Sequence, residues 1–324
     1  MNAPITMRPF GRAPDGRPVE AYTLTNVHGM SVCILTYGGT VQSLRALDRD
    51  GELDDVVLGY DELERYFDSP RYFGALIGRY ANRIAKGWFS IDGRDYQVTR
   101  NEGENSLHGG VEGFDKRLWT AKAQETRVGA RLTLNLVSPD GDQGFPGELA
   151  VQVAYELTRG NELRLDFQAT TTAPTVINLT NHSYWNLSGL DGRHTRDHEF
   201  QVFAEAYTPV DEALLPTGEI APVAGTDFDF REPRLLTVDL DHNFVLRPKG
   251  RGALAPAARL HHPGVGRTLQ IDTTEPGLQV FTGFGGVALE TQRFPDAPNH
   301  PNFVPTLLRP GVIWKSTTVF KLSA

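Results

Sequence analysis

A large all-β fold, an antiparallel sandwich with few short helices, is what this 324-residue sequence predicts, and three observations carry it. Apolar and polar residues alternate over many stretches, which is the period of a half-buried strand rather than of a helix. The breaks between these stretches hold Asp-Gly pairs and Gly/Pro clusters, which tight turns between antiparallel strands favour. Helical periodicity is nearly missing, and DELERYFDS at 61–69 is its best short candidate. A chain of this length can form one large all-β domain. Residues 1–324 are read as one, because no repeat, low-complexity segment or charge block divides them. Strands of varied length with long loops suit two packed sheets better than a closed barrel.

The elements follow in order. The first thirty residues carry no clear signal. Cys33, within SVCILTYGG, reads as a small buried apolar residue; as the only cysteine it allows no intrachain disulfide and points to a reducing cytoplasm. Asp50-Gly51 marks a turn, and Asp92-Gly93 splits FSIDGRDYQV into two halves. Leu132, Leu134 and Leu136 share a face. The segment SPDGDQGFPG (138–147) then turns the chain into LAVQVAYEL, where Leu149, Val151, Val153, Tyr155 and Leu157 face one way and Gln152 and Glu156 the other. Leu163, Leu165 and Phe167 repeat the pattern. Asn178, Asn181 and Asn186 each open a glycosylation acceptor pattern, read as coincidence on so apolar a stretch. LHHPG reads as an exposed loop before a turn, with His261-His262 a weak metal candidate.

Composition excludes several classes. A formal charge of −8 argues against a nucleic-acid or anionic-membrane partner. No run of apolar residues is long enough to span a bilayer, and the N-terminus lacks the apolar stretch of a signal peptide. Phosphate loops, dinucleotide fingerprints, the familiar zinc spacings and a nucleophile elbow are missing as well. What remains is a set of polar clusters between apolar stretches: Asn82 and Arg83 in GRYANRIAKGWF, His108 in ENSLHGG, His182 in NLTNHSYWNL, Asp241 in DLDHNFVL, Gln279 in LQVFTGF, and Glu290 in ALETQRF. Singly each has a plain reading: a surface arginine, a turn histidine, a strand-capping aspartate, a solvated glutamate. Jointly, amides, one arginine, imidazoles and carboxylates beside aromatics suit a neutral polyhydroxylated ligand. One His and one Glu within reach of the same atoms would form a matched acid and base. On the residues alone, a glycosidase using Asp241 with Glu290, a lectin-like module and a sugar-phosphate epimerase stay open as rivals. Sparse basic residues disfavour the last.

The same stretches resemble the aldose 1-epimerase (galactose mutarotase) family. The matching segments are YGGTVQSL with DRDGELDDVVLGYD, GRYANRIAKGWF, NSLHGG into GFDKRLW, SPDGDQGFPGEL, NLTNHSYWNLSG, TPVDEALLPTGEI, DFDF, DHNFVL, LQVFTG, LETQRFPDAPNHPNF and LRPG, in the family's order. The resemblance implies a sandwich of the galactose-mutarotase type, no cofactor, no metal, and a free aldohexose such as glucose or galactose as substrate. It assigns His182 as the catalytic acid, protonated at the start, and Glu290 as the base. Asn82, Arg83, His108, Asp241 and Gln279 become substrate-binding residues. A monomer or weak homodimer is expected. Trp185, Phe281 and His300 stand where the family often has Phe, Tyr and Gln.

Overall fold

Three of the four ten-residue strands among the described residues form where the period-two stretches predict them: Gly129–Ser138, Leu149–Thr158 and Glu162–Thr171. The structure, a computed structural model, describes residues 4–189, 194–247, 250 and 252–324. These three strands lie side by side in a nine-stranded antiparallel sheet, flanked by Thr120–Glu125 on one side and Trp314–Ser323 on the other. Register aligns the apolar rows, with Val153 opposite both Leu134 and Phe167, so one face of the sheet is continuous hydrocarbon. A six-stranded sheet contains Asp241–Leu246, Gly277–Gly283 and Gly286–Gln292 as neighbours. A five-stranded sheet runs in chain order from Ile5–Arg12 to Leu53–Asp55.

One core joins the three sheets. Leu24 and Leu44 meet Leu134, Val153 and Phe320, together with Trp185, Leu278 and Val287. The Trp185 ring packs 5.0 Å from that of Phe320, tying the six-stranded sheet to the nine-stranded one. Burying each large apolar side chain of this kind contributes roughly 1.5–3 kcal/mol.

Several expectations are corrected. The helix candidate at 61–69 amounts to one turn, Glu64–Phe67. The first thirty residues do hold structure: Ile5–Arg12 and Pro18–Thr25 form a hairpin. Glu156 is buried rather than solvated, because Arg131 and Thr126 both donate to its carboxylate at 2.8 Å. His262 is buried too and His261 ends the strand Ala255–His261, so only Pro263-Gly264 of LHHPG is exposed. Cys33 is buried as expected, and burial pushes its thiol pKa up. Asn178, Asn181 and Asn186 are all buried, which removes them as glycan acceptors in the folded chain. Among the described residues no helix is long and apolar enough to cross a membrane.

Candidate active site

Alternation in the six-stranded sheet builds half of the site. Along Gly277–Gly283, Leu278 and Val280 enter the core, so Gln279 and Phe281 face the other way. Along Gly286–Gln292, Val287 and Leu289 enter the core and Glu290 faces out, directly opposite Gln279. Asp241 opens the adjacent strand, and Gln279 Nε2 donates to its Oδ1 at 2.6 Å. A single face thus presents Asp241, Gln279 and Glu290.

His182 sits between two short strand pairs and is fastened by its backbone. Its N–H donates to the Ala75 carbonyl at 2.8 Å, and its carbonyl accepts from Gly74 at 3.0 Å. The three asparagines around it act as clamps. Asn178 Nδ2 donates to the Ala81 and Arg293 carbonyls, Asn181 Nδ2 to that of Gly74, and Asn186 Nδ2 to that of Gly285. The imidazole lies between two phenol rings, Tyr184 at 5.0 Å and Tyr72 at 5.8 Å, each within about 20° of parallel.

The remaining side chains come from two facing loops. Asn82 and His108 both adopt left-handed backbone, φ 63° and 53°. His108 N–H donates to the Asn82 carbonyl at 3.1 Å, and Asn82 N–H donates back to His108 Nδ1 at 3.2 Å. A backbone donor on Nδ1 fixes the neutral tautomer, so Nε2 carries the proton. Gly109 is required here, because any Cβ on it would overlap the Gly78 carbonyl. Arg83 is buried, and its Nε and Nη2 donate to the two oxygens of Glu102, each at 2.7 Å. Its Nη1 lies 3.8 Å from Asp241 Oδ2, too far for a hydrogen bond.

The residues expected from sequence therefore converge. Asn82, Arg83, His108, His182, Asp241 and Glu290 line one cavity of about 150 Å³ with Tyr72, Tyr184, Phe281 and Phe284, while Gln279 reaches it through Asp241. The solvated readings of Arg83 and Glu290 are overturned, since both are buried. Trp185 lies in the core and does not touch the cavity. Sequence reasoning missed Glu102, Tyr72 and Phe284. Glu102 looks like any surface glutamate in NEGEN, and its role comes only from where the loop places it.

His182 Nε2 and Glu290 Oε1 are 3.5 Å apart, while His182 Nδ1 and Glu290 Oε2 have no hydrogen-bond partner among the described residues. Burial lowers the His182 pKa to about 4 and raises that of Glu290 well above its ordinary value, with Asp241 adding to the latter. Burial, then the neighbouring His182 and Arg83, pushes His108 well below the usual imidazole range. Burial thus penalises both charges of the expected imidazolium–carboxylate pair.

Two groups have metal-like spacing, but their tautomers oppose a cation. His108, His182 and Glu290 offer ligand atoms within 4.8 Å of one another, as do Asp197, His198 and His262. His108 already points a proton inward. In the second group Leu187 N–H donates to His198 Nε2 and Val265 N–H to His262 Nδ1, so both rings turn an N–H toward Asp197. A metal bond to His108, His198 or His262 would have to displace a proton held in place by a backbone donor.

Comparison with known proteins gives the family. The family described as aldose 1-epimerase matches residues 20–321. Galactose mutarotase of Bos taurus is 46% identical, over 98% of each chain. This chain belongs to the aldose 1-epimerase family. Aldose 1-epimerase of Escherichia coli K12 is 37% identical, over 96% of this chain and 97% of the relative. The crystal structure of galactose 1-epimerase from Lactobacillus acidophilus NCFM superposes with a TM-score of 0.86 at 30% identity, covering 98% of each chain. An aldose epimerase homologue from C. elegans gives a TM-score of 0.86 at 28% identity, over 93% of this chain and 98% of the other.

Proposed function

We propose that the chain interconverts the α and β anomers of free aldohexoses, glucose or galactose, with Glu290 and His182 as its base and acid. The observation that carries the reading is the buried His182–Glu290 pair, 3.5 Å apart, at the bottom of a cavity lined with hydrogen-bonding side chains. Glu290 takes the proton of the anomeric hydroxyl as the bond from C1 to the ring oxygen breaks, and His182 gives its proton to that oxygen. C1 is now an aldehyde; rotation about C1–C2 and the reverse transfers close the ring on the other face. No proton is gained or lost overall.

The pair enters the step as imidazolium and carboxylate and leaves it as imidazole and carboxylic acid. Burial favours the second state, so ring opening relaxes the pair toward the form the pocket prefers. His108 Nε2–H and Arg83 Nη1 donate to the oxygens that gain charge. Asp241, held by Gln279, accepts from hydroxyls distant from C1, and Asn82 lines the same wall. A phosphorylated sugar fits poorly, because Glu102 already occupies two donors of Arg83. A lectin has no use for a buried acid–base pair. The lone buried Cys33 suits a cytoplasmic setting, and the protein acts as a monomer or weak homodimer.

Polarimetry on freshly dissolved α-galactose and α-glucose, with EDTA present and no nucleotide, tests this. The decay of optical rotation should accelerate in proportion to enzyme. An unchanged decay overturns the reaction; activity lost in EDTA and restored by a divalent ion overturns the metal-free mechanism.

A further inference from the structure

We propose that Phe284 is a substrate-binding residue, an aromatic platform at the mouth of the pocket that takes a C–H face of the sugar ring. The assignment rests on the reaction proposed above, and its evidence is a comparison within the chain. Two hairpins turn through two residues each. Ile91 faces Arg94 around Asp92-Gly93, with φ of 52° and 78°; Gly283 faces Gly286 around Phe284-Gly285, with φ of 56° and 86°. Both turns need left-handed backbone at both positions, and Asp-Gly or Asn-Gly is what such a turn favours. A short polar side chain tolerates that conformation, whereas a bulky one is strained in it.

Phe284 therefore goes against local preference, and it does so while 49% exposed to solvent. Neither backbone geometry nor core burial accounts for it. Its position does. Phe284 lines the cavity with His182, Glu290, Arg83 and Asp241. Its ring lies 6.0 Å from those of Tyr184 and Phe281, and the Arg71 guanidinium stacks over it at 4.8 Å. The hairpin tip is anchored as a binding surface must be. Asn186 Nδ2 donates to the Gly285 carbonyl at 2.8 Å, and a Cβ on Gly283 would overlap the Phe281 ring, so tip and ring interlock. The site's donors and acceptors can satisfy hydroxyls. A pyranose also carries an apolar face of C–H groups, and an aromatic ring is its matching surface.

Phe284→Asn puts in the residue the turn prefers, so the two roles of the side chain separate by sign. The melting temperature should stay level or rise by about 1–3 °C, while KM for galactose and glucose rises roughly 3- to 10-fold with little change in kcat. Phe284→Tyr should keep KM near that of the parent. An unchanged KM in the Asn variant overturns the platform, as does a KM rise that comes with a lower melting temperature and is not prevented by Tyr. Calorimetric titration of galactose into parent and variant reads the platform independently of turnover. A parent that binds galactose more tightly than the variant but does not accelerate mutarotation would sink the reaction and leave the platform standing.

Discussion

At the scale of single residues, the decisive quantity is the one proton shared by His182 and Glu290. Glu290→Gln keeps side-chain length and a carbonyl acceptor but cannot take a proton at neutral pH. Its kcat should fall by roughly 10²–10⁴ with sugar affinity nearly unchanged; normal turnover would move the base elsewhere, Asp241 first. The sign of the pH dependence follows from burial. The productive pair holds one proton. Lowering pH adds a second, and His182 accepts it with a pKa of about 4; raising pH removes the only one, from Glu290, whose pKa lies well above the ordinary carboxylate range. In the free enzyme, read by kcat/KM, the acidic limb should therefore lie near pH 4 and belong to His182. Both limbs are macroscopic properties of the pair. An acidic limb centred near the ordinary histidine value of about 6.5 would show that burial does not control the site.

At the scale of elements, the loop running from Asn101 to Gly110 does two jobs at once. Asn101 Nδ2 donates to the carbonyls of Leu107 and Gly110, and its Oδ1 accepts from Leu107 N–H, bracketing His108. Next to it, Glu102 grips Arg83 through two bonds of 2.7 Å. This side-on fork aims Nη1 into the pocket and keeps Arg83 from closing on Asp241. Glu102→Gln can replace only part of the fork, so Arg83 gains freedom to pair with Asp241 and block a hydroxyl subsite. KM should rise about 3- to 10-fold, with the melting temperature nearly unchanged because Glu102 is partly exposed. A normal KM would make the fork incidental. His108 was legible in LHGG because glycines beside a histidine signal close approach. Glu102 was not, because it stands apart in NEGEN and meets Arg83 only when Ser106–Leu107 pairs with Arg83–Ile84.

At the scale of the whole molecule, the sandwich was readable because alternation reports which face of a strand is buried, as Leu149 to Leu157 show. Alternation assumes that polar means outward, and it fails where a polar group finds partners inside. Glu156 fails that way, and a second buried carboxylate, Asp115, lies outside any alternating stretch. Asp115 lies in the single turn Phe114–Lys116, and burial raises its pKa to about 7 against the pull of Lys116 and Arg117. Between its ordinary value of 3.8 and about 7, the folded chain holds a proton that the unfolded chain has lost. Stability must then fall with rising pH across that window, by about 1.4 kcal/mol per pH unit for one proton. His182 and His198, both lowered to about 4 chiefly by burial, act in the opposite sense. Between about pH 4 and 6.5 the unfolded chain holds their protons and the folded chain does not, so their contribution grows as pH rises. The parent's stability is a sum of opposed slopes. Asp115→Asn removes only the Asp115 part of the falling slope, to which Glu290 and Asp55 also contribute, since an amide fills nearly the same space and does not titrate. Denaturant unfolding at pH 5, 6 and 7 should show the variant gaining on the parent at each step, and the difference should level off once Asp115 has ionised in the parent, above about pH 7. Curves that run parallel from pH 5 to 7 would mean that Asp115 is ionised in the folded chain throughout, held by Lys116 and Arg117 rather than neutralised by burial.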